Sequence, residues 1–147
     1  MKEASIILFR HGQSVFNRDN KFTGHMNPPL TKAGKDDAEI IAIRLKKAHI
    51  DMAFHTHLIR SKETLKIILK SHPECTRVIE DDRMLERHYG SLCGKTHLQI
   101  VKKHGPHQYD LWHRGFTARP PKGESFADVE KRVSSFIKDL LLFVKKE

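Results

Sequence analysis

Apolar positions along the chain follow two different periods. Ser5–Phe9 is a short continuous apolar run that ends in Arg10-His11-Gly12, the pattern of a strand entering a glycine turn. Met52–His55 and Arg77–Glu80 read as two further brief strands. Between these runs the period changes to that of a helix. Thr31 caps a helix that runs to about Ala48, with Ala38, Ile41 and Leu45 on one face. Leu58–Ser71 is a second helix, with Leu58, Leu65, Ile68 and Leu69 as its apolar stripe. His72-Pro73 stops it, because proline restricts the residue before it. The clearest helix is the last. Ser125 and Asp128 form a capping pair, and Phe126, Val129, Val133, Phe136, Ile137, Leu140, Leu141 and Val144 follow a helical repeat. Residues 11–30 read as a long loop, and 81–123 as short helical stretches punctuated by Gly90, Gly94, Gly105 and Pro106. No internal repeat, linker or low-complexity tract interrupts them. The alternation predicts one α/β domain over residues 1–147, three-layered, with a mostly parallel sheet flanked by helices.

Composition narrows the class. A chain of 147 residues with 38% hydrophobic and 31% charged positions can bury a real core without a disulfide or metal staple. No apolar run approaches the ~18 residues that span a bilayer. The apolar N-terminus is too brief for a signal peptide and lacks a small-residue cleavage site, so the setting expected is cytoplasmic. Cys75 and Cys93 have no metal-type spacing and are expected as free thiols. The formal charge of +9 is compatible with several anionic partners and selects none of them. Its lysines are spread as surface pairs (Lys46-Lys47, Lys102-Lys103, Lys145-Lys146), without the aromatic-plus-basic clustering of a nucleic-acid site. His55, His57, His97, His104, His107 and His113 invite a metal reading. No cysteine or carboxylate completes a recognisable set, so no metal is expected.

Leu8-Phe9-Arg10-His11-Gly12-Gln13-Ser14 is the segment that suggests chemistry. It would place Arg10 and His11 at the C-terminal end of a strand, where open α/β sheets hold their ligands. A neutral imidazole can attack phosphorus without first losing a proton. A guanidinium can hold a phosphoryl group through two parallel hydrogen bonds. The bare tripeptide equally fits a histidine that merely caps a strand.

The longer context resembles the histidine phosphatase superfamily, and within it the 2,3-bisphosphoglycerate-dependent phosphoglycerate mutases. The likeness runs from Leu8-Phe9-Arg10-His11-Gly12-Gln13-Ser14-Val15-Phe16-Asn17 through Phe22-Thr23-Gly24, Leu30-Thr31-Lys32-Ala33-Gly34 and Thr56-His57-Leu58-Ile59-Arg60-Ser61. Leu85-Glu86-Arg87-His88-Tyr89-Gly90-Ser91-Leu92-Cys93-Gly94 is similar to the mutase branch in particular, and Tyr109–Phe116 and Pro120-Pro121 follow in mutase order. The resemblance implies interconversion of 3- and 2-phosphoglycerate in glycolysis and gluconeogenesis, with 2,3-bisphosphoglycerate as phosphoryl primer, small phosphoglycerates as partners and homo-oligomerisation left open. It implies that His11 is the phosphorylated nucleophile and Glu86 the proton donor and acceptor. Arg10 and Arg60 would bind the transferring phosphoryl group. Gln13, Asn17, Thr23, Gly24, Arg87, His88, Tyr89, His97, His113 and Arg114 would complete the pocket.

Several departures from the family pattern carry expectations of their own. His97 stands near where the mutases carry a lysine, and His113-Arg114 where they carry paired arginines. Two permanent charges thus become groups that can be neutral at pH 7. Lys122-Gly123-Glu124-Ser125 runs directly into the last helix, a compact form whose Gly-Glu-Ser also resembles phosphatase members. The family's second catalytic histidine belongs to a strand after the final helix, where this sequence reads Lys145-Lys146-Glu147. The expectation is a C-terminally incomplete sheet lacking that strand, with little activity unless another chain completes the pocket. Strand Ser5–Phe9 would then leave a gap or pair directly with Met52–His55. The alternatives are a broad histidine phosphatase acting on small phosphate esters, and a non-catalytic phosphate-binding remnant.

Overall fold

The structure, a computed structural model, describes residues 4–146. The side chains of Lys145 and Lys146, and the expected start of a further strand at Glu147, lie outside the described residues. Among the described residues the regular elements are six α-helices and one small sheet: α1 (Val15–Arg18), α2 (Lys32–Leu45), β1 (Met52–His55), α3 (Ile59–Leu69), β2 (Arg77–Glu80), α4 (His97–His104), α5 (Pro106–Arg114) and α6 (Phe126–Lys146). Short 3-10 turns occupy Asp82–Met84 and Gly90–Leu92.

Local chemistry accounts for where the helices begin. The Thr31 hydroxyl accepts the Gly34 N–H at the start of α2, satisfying one of the donors a helix leaves free. The Thr96/Gln99 capping box starts α4. Ser125 and Asp128 exchange hydrogen bonds at the start of α6, as the sequence predicts. Helix α3 has no capping side chain of its own, since Leu58 stands at its N-cap. Asn27, 32 positions earlier, supplies the acceptor for the Ile59 N–H at 2.7 Å.

β1 and β2 pair in parallel, Met52 opposite Arg77 through His55 opposite Glu80. Successive strand residues face opposite sides, and this produces the layers. Ala53 packs with Leu65 of α3, Cys75, Ile50 and Leu69. Phe54 meets Phe136 of α6 edge-on, with centroids 5.1 Å apart. The sheet therefore lies between α3, with α2 against it, and α6. A second core of Phe22, Leu92 and Ile100 gathers Tyr89, Tyr109 and Trp112 between the loops and α4–α5. Both cysteines are free, Cys75 buried and Cys93 half-buried.

One predicted strand does not form. Residues 4–10 belong to no ladder, and Ile6, Ile7 and Leu8 are 63%, 43% and 80% exposed. Phe9 alone reaches the Ala53 cluster. A strand exists through its hydrogen-bonded neighbour, and among the described residues β1 pairs only with β2. The apolar run thus has the composition of a strand without a partner. Direct pairing with Met52–His55, one of the two arrangements expected for it, is not formed among the described residues. The long loop 11–30 is also more ordered than expected, holding α1 and two isolated bridges, Ser14 to Leu30 and Lys21 to Thr96.

A close backbone approach holds that loop on α2. A Cβ on Gly34 would lie 2.0 Å from the Gln13 carbonyl oxygen, and one on Gly12 1.9 Å from that of Gly34. Alanine normally gains about 1 kcal/mol over glycine inside a helix. Here the backbone contact outweighs that gain, and Gly34→Ala is expected to lose about 2 kcal/mol or more in urea unfolding. A neutral or stabilising result would contradict the contact.

Candidate active site

The turn after Arg10-His11 is locked to α3 through one hydroxyl. The Gly12 N–H donates to Thr64 Oγ1 at 3.1 Å, and Thr64 Oγ1 donates to the Arg60 carbonyl at 2.7 Å. His11 Nδ1 lies 2.7 Å from the Gly12 carbonyl oxygen. A carbonyl only accepts, so Nδ1 carries the proton and Nε2 keeps its lone pair. Burial holds the imidazole below its ordinary pKa; the Gly12 hydrogen bond opposes this, while the charges of Arg60 and Arg10 add to it. The result is a histidine that is neutral at pH 7, with a lone pair on its outer nitrogen.

Arg60 is 2% exposed and held by three acceptors. Its guanidinium donates to the Met26 carbonyl at 2.8 Å, the Gly24 carbonyl at 2.8 Å and Glu86 Oε2 at 3.1 Å. Gly24 reaches this arrangement at φ +52°, and a Cβ there would meet Cys93 Sγ at 2.8 Å. Glu86 is pushed above the ordinary carboxyl range by burial, against the pull of Arg60, Arg10 and Arg87. Its side chain is still 37% exposed, so water screens part of the Arg60 pair. Arg10 is exposed and acts on His11, Arg60 and Glu86 through its charge. These four residues form one electrostatic group of a neutral imidazole, two cations and a carboxyl with a raised pKa.

The other predicted residues divide. Thr23 is buried beside Gly24. Gln13 Oε1 accepts from the Thr31 hydroxyl, and Asn17 Oδ1 closes the α1 cap on Ser14, so both serve the loop's own structure. His88 Nδ1 accepts the Gly90 N–H, and the His88 N–H donates to Glu124. Arg87 is 3% exposed, lies over the rings of Tyr89 and Phe126 at 4.5 and 4.2 Å, and donates to the Trp112 carbonyl. His97 and His113 join Phe22, Tyr89 and Tyr109 in one aromatic cluster. Burial lowers the pKa of both imidazoles. Arg114 is not brought to this group: its side chain is 76% exposed and pairs with Asp110 on its own helix at 3.5 Å.

Three further side chains, outside the residues that the sequence singles out, support the site. His25 donates to the Glu86 carbonyl at 2.9 Å, since that oxygen can only accept. Arg132 of α6 donates to the carbonyls of Arg83 and Glu86 and to both oxygens of Glu124. Glu124 thereby stays below the ordinary carboxyl range: burial works upward, but Arg132, the His88 N–H and His25 outweigh it. The Gly-Glu-Ser string marks Glu124, but no local pattern marks His25 or Arg132. Among the described residues no three His, Cys, Asp or Glu side chains converge as a metal set. A groove of about 680 Å³ lined by His55, Lys62, Leu65 and Val78 lies elsewhere, between α3 and β2, and contains none of the residues above.

The profile of the histidine phosphatase superfamily, branch 1, matches residues 6–144. A 2,3-bisphosphoglycerate-dependent phosphoglycerate mutase of Cytophaga hutchinsonii is 37% identical over 134 residues, which are 91% of this chain and 63% of that one. The enzyme of the same name from Buchnera aphidicola subsp. Cinara cedri is 43% identical over 124 residues, 82% of this chain and 54% of that one. This chain therefore spans less than two thirds of the length of either relative. Among solved structures, a mycobacterial glucosyl-3-phosphoglycerate phosphatase superposes with a TM-score of 0.80 at 27% identity, covering 90% of this chain and 61% of that one.

Proposed function

The chain belongs to the histidine phosphatase superfamily, and from that premise we propose that it transfers phosphoryl groups of small phosphate esters through His11. The observation that carries the reading is the His11 tautomer, with Nδ1 engaged by Gly12 and the ring in the field of the Arg60 and Arg10 charges. Nε2 attacks phosphorus, the ester P–O bond breaks, and Glu86 gives its proton to the departing oxygen. Arg10 and Arg60 hold the phosphoryl oxygens while charge shifts among them, the effect that dominates such transfers. Phospho-His11 then passes the group to an incoming hydroxyl whose proton returns to Glu86.

Two acceptors follow from the relatives. The mutases named above bring phosphoglycerate itself as acceptor, and the resemblance extends this to interconversion of 3- and 2-phosphoglycerate in a cytoplasmic, glycolytic setting. The phosphatase neighbour brings water as acceptor. Burial lowers the pKa of His97 and His113, where the resemblance would have permanent charges, and this favours the second reading at neutral pH. A 2,3-bisphosphoglycerate primer would supply the first phosphoryl group. Arg10 and Arg60 suit one of its phosphates, but of the residues that the resemblance assigns to its other end, His97 and His113 have lowered pKa values and Arg114 pairs with Asp110, so these residues do not supply the permanent charges that the whole primer needs. Phosphorus NMR of the protein with 3-phosphoglycerate separates the acceptors: 2-phosphoglycerate supports the first and inorganic phosphate the second. A folded sample that yields neither product from 3-phosphoglycerate with 2,3-bisphosphoglycerate added, and no inorganic phosphate from phenyl phosphate, overturns both.

A further inference from the structure

Resting on the reading of Glu86 as proton donor, we infer that Arg132 and His25 are positioning residues for phosphoryl transfer. They hold the Glu86 main chain so that its carboxyl meets the departing ester oxygen. Glu86 lies in residues 85–89, between the 3-10 turns Asp82–Met84 and Gly90–Leu92, where no helix or strand fixes the backbone. Backbone polar groups outside such elements need other partners. Side chains from two distant segments supply them here.

The first segment is α6 with the residues just before it. Arg132 Nη1 donates to the Arg83 carbonyl at 2.8 Å, and Nη2 to the Glu86 carbonyl at 3.1 Å. One planar guanidinium thus spans two carbonyls three positions apart. Glu124 holds that plane, its two carboxylate oxygens accepting from Nε and Nη2 at 3.1 Å each. Glu124 Oε2 also accepts the His88 N–H, and the Glu124 N–H donates to the His88 carbonyl, both at 2.8 Å. The chain on each side of Glu86 is therefore tied to α6.

The second segment is the loop before α2. His25 Nε2–H donates to the same Glu86 carbonyl at 2.9 Å. His25 stands between Gly24 and Met26, whose carbonyls each hold Arg60 at 2.8 Å. Three consecutive residues thereby hold the acid's main chain and the guanidinium that reaches its carboxyl at 3.1 Å. A proton donor must lie within hydrogen-bond reach of the oxygen it protonates, and an error of about 1 Å costs on the order of a hundredfold. Removing Arg132 releases Glu86 from α6, whereas the Gly12–Thr64 and Gly24–Arg60 hydrogen bonds do not involve it.

Leaving groups of different basicity separate a displaced acid from a damaged fold. The phenolate of 4-nitrophenyl phosphate departs without a proton, whereas the alkoxide of glycerol 3-phosphate needs one. The readout is the single-turnover rate of phospho-His11 formation on the full chain at saturating ester. In Arg132→Met the rate with glycerol 3-phosphate should fall about tenfold to a hundredfold, and with 4-nitrophenyl phosphate by no more than about threefold. His25→Phe removes one hydrogen bond to the same carbonyl and should show the same selectivity at smaller size. It carries the test where Arg132→Met does not fold. Arg132→Met/Glu86→Gln should be no slower than Glu86→Gln alone, because changes to residues that act as a unit do not add. Equal losses on both esters, or losses that multiply in the double variant, overturn the inference and leave Glu86 as proton donor. If Glu86→Gln itself slows both esters equally, Glu86 is not the donor and the inference falls with it. A folded parent that forms no phospho-His11 with either ester removes the His11 reading as well.

Discussion

Arg60→Met is expected to cost about 3 kcal/mol of folding stability and to lower the rate of phosphoryl transfer by about a hundredfold or more. Both losses come from one guanidinium. Removing it strands the Gly24 and Met26 carbonyls and leaves Glu86 without its buried counter-charge. The stability cost falls toward the low end for a broken buried pair because Glu86 is 37% exposed and water takes over part of its solvation. Arg60→Lys distinguishes charge from shape. An ammonium keeps the charge but cannot span the three acceptors from one planar group, so most of both losses should remain. Urea unfolding reads the first effect and the rate of phosphohistidine formation the second. A variant as stable and as fast as the parent would remove Arg60 from the site.

Glu86→Gln is expected to lower kcat by about a hundredfold to ten-thousandfold while leaving the fold intact. Glutamine still accepts from Arg60 but has no proton to give. The pH profile distinguishes this from a packing defect. Burial raises the Glu86 pKa, so the carboxyl stays protonated further into the mildly acidic range, and activity declines as pH rises through that raised value. Burial lowers the His11 pKa, so the nucleophile is lost only as pH falls below the ordinary imidazole value of about 6.5. The parent should therefore show a bell, and Glu86→Gln should lose its alkaline limb alone. Stability follows the same signs. His11 binds fewer protons folded than unfolded, so its contribution is lost as pH drops through about 6.5. Glu86 binds more when folded, so its contribution is lost as pH rises through its raised pKa.

Local signals in the sequence correspond closely to the structure wherever the cause is local. Met52–His55 and Arg77–Glu80 are strands to the residue. Thr31 and the Ser125/Asp128 pair begin the helices they were expected to begin, because a cap is chemistry between residues three apart. Ser5–Phe9 was expected as a strand from its composition, but pairing depends on a neighbour that composition does not encode. The site divides in the same way. His11 beside Gly12 is legible because the tautomer is set by the adjacent carbonyl. Arg132 reaching the Glu86 carbonyl across 46 positions, and Asn27 capping α3 across 32, are products of packing and carry no local signature. Tertiary placement also decides between residues that look alike in sequence: His113 faces His97 and Tyr109, while neighbouring Arg114 pairs with Asp110 on the exposed side.

His11 is expected to carry the phosphoryl group in transit. Brief incubation with 2,3-bisphosphoglycerate or an aryl phosphate, followed by intact-mass measurement at neutral pH, tests it directly. The parent should gain the mass of one phosphoryl group, localised to His11, and a folded His11→Gln variant should gain none. An adduct that persists in the variant, or a folded parent that takes up no phosphate from any donor, would contradict the account.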